Sequence, residues 1–203
     1  MVWTTLKPRC VGGLDEALSH YRTPGCRTLA EGYGAMLAAS GGAVPTKHQL
    51  DLGVFVRAMP HLALVAVTKP DKCIYRIAGE RLKERVGFNM AGRNYYDFVP
   101  PERRAFAARA MHMVIETPCA FRAEIQQSYS GDIALMIEAT GFPLRSEESG
   151  IDGFILFADQ SIERDADYLD SGLQLQGANV MRRDLIDIGF GVDETFEDMI
   201  QQA

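Results

Sequence analysis

Four histidines and four cysteines are the residues of this chain whose types most readily do chemistry. Their spacing gives them no shared task. Metal and acid–base sites need donors held together, commonly visible as HxH or HExxH strings. His20, His48, His61 and His112 form no such string. Cys10, Cys26, Cys73 and Cys119 make no CxxC pair, so they read as small apolar residues in a reducing compartment. There is no GxSxG elbow, no GxxxxGKS/T phosphate loop and no GxGxxG turn. Asp15-Glu16 and Glu147-Glu148 are adjacent acids that read as solvated. Glu138 alone stands inside an apolar strand pattern; on the outer sheet face Arg122 of the neighbouring strand could partner it. This inventory predicts a protein that is not an enzyme and holds no metal.

The elements that would position these groups are those of one domain with extensions, as a length of 203 residues suggests. No apolar run approaches the roughly 20 residues that cross a bilayer, and Met1–Arg9 lacks the apolar core of a signal peptide, so a cytoplasmic protein off the membrane is expected. The net charge of −6 argues against nucleic acid, which needs a clustered basic face. Eleven acids and three arginines follow Phe157, a net of −8, which marks a boundary near residue 160.

Residues 1–27 hold Pro8, Gly12, Gly13, Pro24 and Gly25 without a steady period and read as a loose leader. Thr28 with Glu31 makes a capping-box pattern for a helix through Ala39, ended by Gly41-Gly42. Leu50–Met59 reads as a short helix stopped by Pro60. Strands are expected at Leu62–Thr68 and Cys73–Ile77, then helices at Glu80–Val86 and Arg103–Glu116. Strands at Cys119–Gln127, Ile133–Gly141 and Gly153–Asp159 follow, with a hairpin turn at Tyr129–Asp132. The run Phe154-Ile155-Leu156-Phe157 is apolar on both faces, so the outer face needs a cover: the Thr28–Ala39 helix, the tail, or a second subunit. In the tail, Val192, Phe196, Met199 and Ile200 fall at helical spacing.

Several strings occur in a telling order: Val44-Pro45-Thr46 before a helix ending at Pro60, then Tyr75-Arg76-Ile77-Ala78-Gly79, then Asn89-Met90-Ala91-Gly92-Arg93. Phe98-Val99-Pro100 and Glu138 through Phe142-Pro143-Leu144 complete the set. Together they resemble a PAS domain, and most nearly a family of small, largely stand-alone bacterial PAS proteins first catalogued as a domain of unknown function. The resemblance covers about 28–159. It implies an α+β fold: a five-stranded antiparallel sheet with short helices on one face, here carrying an N-terminal helix and, over 160–203, an acidic, partly helical C-terminal extension.

The family's cofactor chemistries are not expected here. Haem-binding versions use a histidine on the long helix, but His112 lies opposite the apolar face of Phe106, Ala110, Met113 and Val114 and should point to solvent. Photoactive flavin versions carry a cysteine in Gly-x-Asn-Cys-Arg-Phe, and this chain has tyrosine there, in Gly92-Arg93-Asn94-Tyr95-Tyr96. A small-molecule pocket would be lined by Tyr75, Tyr95, Tyr96, Phe106, Ala110, Met113, Phe121, Leu135 and Ile137, with Arg76 or Arg93 as a fixed charge for an acid. The same inventory suits a filled core, the commoner outcome. The resemblance implies a signalling module that binds a small ligand or a protein partner and has no output domain. Tyr33, Leu37, Ile155 and Phe157 are the expected homodimer surface. A ligand-independent adaptor working through dimerisation and the acidic tail is the alternative reading, and an enzyme on a cone-like α+β fold a third.

Overall fold

The computed structural model describes residues 9–68, 71–163 and 175–193. Seven strands form one sheet: β1 (Arg9–Val11), β2 (Leu62–Thr68), β3 (Lys72–Ala78), β4 (Cys119–Tyr129), β5 (Ile133–Arg145), β6 (Gly153–Ser161) and β7 (Leu175–Asp187). Their order is β1-β7-β4-β5-β6-β2-β3, antiparallel except for the β1–β7 pair. Among the described residues four helices accompany them: α1 (Leu14–Leu18), α2 (Pro24–Ala39), α3 (Glu80–Val86) and α4 (Arg104–Glu116). The expected five strands and three of the helices are therefore present, and β1 and β7 extend the sheet beyond β4.

The sheet separates two apolar cores. On one face α1 and α2 cover Leu64, Ala66, Phe142, Leu144, Phe154 and Leu156. On the other, α3 and α4 cover Val65, Tyr75, Cys119, Ile155 and Leu185. A sheet covered on both sides calls for strands apolar on both faces, which is what Phe154–Phe157 displays.

That double cover changes the reading of the expected dimer surface. The helix that closes the outer face belongs to the same protomer. Tyr33 is fully buried, its ring stacked 4.6 Å from that of Phe142 and its hydroxyl donating to the Pro143 carbonyl at 2.8 Å. Phe154 and Leu156 face α2, whereas Ile155 and Phe157 point the opposite way, toward α3 and α4. An unbroken apolar run carries no alternation to set the phase of the strand, so the sequence assigned these two residues to the wrong face. Leu37 is partly buried at the rim of a groove between α1 and α2.

Helix α2 begins four residues earlier than expected, with Pro24 at its first position. Its end is a Schellman motif: Gly42 N–H donates to Leu37 at 2.9 Å and Gly41 N–H to Ala38 at 3.1 Å, both glycines having positive φ. The predicted 50–59 helix is instead a series of 3₁₀ turns, Lys47–Gln49, Leu52–Phe55 and Met59–His61. The leader is built in as well. β1 pairs with β7, and Val11, Ala17 and Tyr21 are buried. In the expected acidic tail, residues 175–187 are β7, paired with β4 from Cys119 to Tyr129. Val192 packs on the cavity-side core outside any helix, and Phe196, Met199 and Ile200 lie outside the described residues. Among the described residues no helix is long and apolar enough to cross a membrane.

Charge is buried where the N-terminal segment meets the sheet. Glu138 is fully buried on the α2 face. Its carboxylate accepts from the backbone N–H groups of Arg22 (3.0 Å) and Thr23 (2.7 Å), from the Thr23 hydroxyl (2.7 Å) and from Arg122 Nε (2.7 Å). Arg122 also binds Asp184 (3.2 Å) and Glu124 (2.8 Å), and Arg182 reaches Asp184 at 3.1 Å. Burial opposes the Arg122 charge, but Glu124 and Glu138 outweigh it and raise its pKa above the ordinary arginine value. Without the Glu138 carboxylate Arg122 keeps Asp184 and Glu124, but the Arg22 and Thr23 N–H groups and the buried Thr23 hydroxyl lose their acceptor. Glu138→Ala is thus expected to cost roughly 3–5 kcal/mol, read as a lowered urea midpoint at unchanged slope.

Candidate ligand cavity

A cavity of about 280 Å³ lies between the sheet and the α3/α4 side. Its floor is the inward face of the strands: Tyr75 of β3, Phe121, Ala123, Ile125 and Gln127 of β4, Ala139 of β5, Phe157 and Asp159 of β6, and Arg183 and Leu185 of β7. Leu82 and Arg85 of α3, Tyr95 and Phe98 of the 3₁₀ turn Tyr95–Phe98, and Phe106, Ala110 and Met113 of α4 form the roof.

Local structure explains each placement. The floor residues of β4 follow the pleat, every second side chain pointing inward. Asn94 fixes the turn that carries Tyr95: its side-chain oxygen accepts from Cys73 N–H at 2.9 Å, and its amide donates to the Asp71 carbonyl at 3.1 Å. In β7 the register shifts between Glu124↔Arg182 and Ile125↔Val180, which leaves Met181 as a bulge. The bulge resets the alternation, so Val180 and Arg183, three apart, both line the cavity.

Small residues make the space. One row across the sheet reads Asp159, Ala139, Ala123, Arg183, each paired with the next. The two alanines leave depth between charged ends. Asp159 is ion-paired with Arg85 of α3, itself only 5% exposed. Arg183 holds its guanidinium 5.6 Å from the Phe106 ring centre. Burial lowers its pKa; Tyr95 opposes that and Arg103 adds to it. Burial likewise pushes the Tyr75 and Tyr95 hydroxyls well above their ordinary pKa, so both are neutral. The thiols of Cys26, Cys73 and Cys119 are pushed up to about 12, mainly by burial, and are not reactive thiolates.

Of the residues expected to line a pocket, Tyr75, Tyr95, Phe106, Ala110, Met113 and Phe121 do so. Tyr96 is buried in the same core without lining the cavity, and Leu135 and Ile137 share Ala139's face of β5 beyond its edge. The two arginines differ from expectation. Arg76 is the extra residue where the β2–β3 register shifts from Leu64↔Ile77 to Val65↔Tyr75, and its side chain is exposed. Arg93 is exposed and stacks 4.6 Å over Phe88. Among the described residues the arginines that line the cavity are Arg85, Arg103 and Arg183. Arg85 falls in an ordinary-looking charged helix and Arg183 in a strand whose period a bulge breaks, so sequence spacing pointed to neither. His112 also departs from expectation: it is 8% exposed, with Nδ1 2.9 Å from the Ala108 carbonyl and Nε2 3.6 Å from Asp152. The connection entering β6 covers that side of α4. His112 is not among the cavity-lining residues. Among the described residues no group of three or more His, Cys, Asp or Glu could hold a metal ion.

No protein-family model matches the chain, and no curated protein matches it. Solved structures do. The PAS-B domain of Drosophila melanogaster Cycle, with bound glycerol, is 12% identical over 50% of this chain and 98% of its own, at a TM-score of 0.37. A fungal LOV-domain photoreceptor is 21% identical over 63% of this chain and 88% of its own, at 0.41. The Vibrio cholerae VqmA dimer is 21% identical over 57% of this chain at 0.38, and the match takes in 52% of VqmA. By its own element order, two strands, short helices, then three strands around a cavity, the fold is PAS-like, with β1 and β7 added at one edge.

Gly141 controls how Phe121 meets this floor. A Cβ there would lie 2.4 Å from the Phe121 ring and 3.1 Å from Ile155. Gly141→Ala is expected to cost about 1–3 kcal/mol through overpacking, and Phe121→Ala in the same chain should cost less than the two single losses added. Urea unfolding of the four proteins of the cycle measures this.

Proposed function

We propose that this chain is a PAS-type sensory module whose cavity takes a small molecule and whose output is a change in binding to a protein partner. The observation that carries the reading is the cavity itself: an apolar enclosure with a few convergent polar groups, Gln127, Asp159 and the three arginines, the usual make-up of a ligand site.

The strands that line the cavity also support a route outward. Phe121 and Ala123 flank Arg122, Ala139 follows Glu138, and Arg183 and Leu185 flank Asp184. Inward residues thus sit one peptide away from the charges that hold Arg22–Thr23 at the start of α2. A ligand that favours one placement of β4, β5 and β7 will favour one docking of α2 in proportion to its differential affinity for the two arrangements. The adaptor alternative, action through the acidic extension, needs a narrower truncation than 160–203, since that cut would remove β7 from the sheet.

Native and denaturing mass spectrometry of the purified full chain tests this reading, alongside Ala110→Phe, which fills the cavity from α4. The chain should release a small molecule on denaturation, or gain one from a metabolite mixture. The filled variant, folded by circular dichroism, should lose at least nine-tenths of that occupancy by the order-of-magnitude cost of an obstructed apolar site. Equal occupancy in the filled variant would contradict the cavity as the site.

A further inference from the structure

One cavity-lining side chain divides its polar groups between the protein and the open space. Gln127 of β4 is only 8% exposed and lines the cavity. Its Oε1 accepts at 2.7 Å from the hydroxyl of Tyr129, two residues on along the same face of β4. Tyr129 is itself buried, and burial pushes its hydroxyl up to about 12, so the group is protonated and donates. An amide whose oxygen is taken in this way presents its NH2 group. Among the described residues that nitrogen has no hydrogen-bond partner.

The floor around that donor is apolar. Gln127 pairs with Ala178 of β7, and Ile125 pairs with Val180. Ile125, Ala178 and Val180 all line the cavity, as does Leu175 at the start of β7. A buried donor without an acceptor is costly, and a ligand oxygen that takes its hydrogen relieves that cost. An ionic head at the same place would meet these apolar side chains and a neutral amide. Arg85, whose charge reaches Tyr129, is already ion-paired with Asp159. The acceptor that fits Gln127 is therefore neutral. From Gln127 back to Ala123 the floor runs four residues along β4, roughly 13 Å at about 3.3 Å per residue. That length leaves room for an apolar body beside the oxygen.

We propose that the cavity takes an apolar molecule bearing a neutral carbonyl, its oxygen accepting from the Gln127 amide and its body lying over Ile125 and Ala123. This rests on the cavity being a ligand site. It makes Gln127 the group that selects the ligand and Tyr129 the residue that positions Gln127. It also gives β7, which lies outside the five-stranded PAS-like part, a share in the site through Ala178 and Val180.

Acetophenone and α-methylstyrene are the probes: they share one shape, and the second carries a CH2 group where the first carries the carbonyl oxygen. Both are titrated into the full-length protein and followed by ligand-observed NMR, and the quantity read is the ratio of their affinities. Gln127→Met, which keeps the length of the side chain and removes the donor, should lower that ratio at least about fivefold, the usual worth of one hydrogen bond. Tyr129→Phe, which frees the amide to turn, should lower it by less. If Gln127→Met does not fold, Gln127→Glu, which replaces the donor by an acceptor, and Tyr129→Phe decide. An unchanged ratio in the Gln127 variant, with both probes lost in Ala110→Phe, would overturn the carbonyl assignment and leave the cavity as a ligand site. Binding of neither probe, or of both undiminished in Ala110→Phe, would overturn the assignment and count against the cavity reading as well.

Discussion

The fold is organised around the buried carboxylate of Glu138. A charge removed from water at a fully buried position is tolerable only when its oxygens are saturated. Here saturation requires two distant parts of the chain at once: the backbone of Arg22–Thr23 and the side chain of Arg122, itself committed to Asp184. The start of α2, the central strands β4 and β5, and the added strand β7 are thus joined through one set of charge-assisted bonds. The first amide groups of α2 are also served from the sheet: Gly25 N–H donates to Gln160 at 2.7 Å. The helix has no side-chain cap of its own and takes its N-terminal partners from β5 and β6.

Because a strand alternates its side chains, placing charge on one face of β4, β5 and β7 leaves the residues between them for the other face. Those residues are the floor of the cavity. Apolar packing holds the two layers of helices on, but it is non-directional. The polar cluster supplies the direction, setting which turn of the N-terminal segment lies over which strand. The bulge at Met181 is the point where both demands on β7 are reconciled: Arg182 and Asp184 reach the cluster while Val180 and Arg183 face the cavity.

Much of this was legible in the sequence. β2 and α3 were bounded correctly from the apolar run Leu62–Val67 and the Gly79 opening, and Gly41-Gly42 ended α2 as expected. Five of the six expected residues that line the cavity, all but Tyr95 of the 3₁₀ turn, lie on strands or on α4, where period-two alternation and the apolar stripe report facing directly. The Arg122–Glu138 partnership was visible too, since a lone acid in an apolar strand needs a cation nearby. What stayed hidden depends on tertiary pairing. β7 is polar along its first half and looks like tail until Leu185 and Ile186, and only its eleven-residue register with β4 makes it a strand. β1 in turn exists only because β7 does. The inward arginines follow from a bulge and from a helix approach, neither of which leaves a periodic trace, and His112 is buried by a connection that helical geometry alone cannot place.

The claim most open to direct test is that α2 and the cavity strands form one cooperative unit through Glu138. Native-state amide hydrogen exchange of Arg22 and Thr23, compared with the amides of β5, measures it. If Glu138 locks the segment to the sheet, these two amides exchange only through global unfolding, with the same denaturant dependence as β5. Exchange through a local opening well below the global unfolding free energy would show that the N-terminal segment detaches on its own, and would contradict the account.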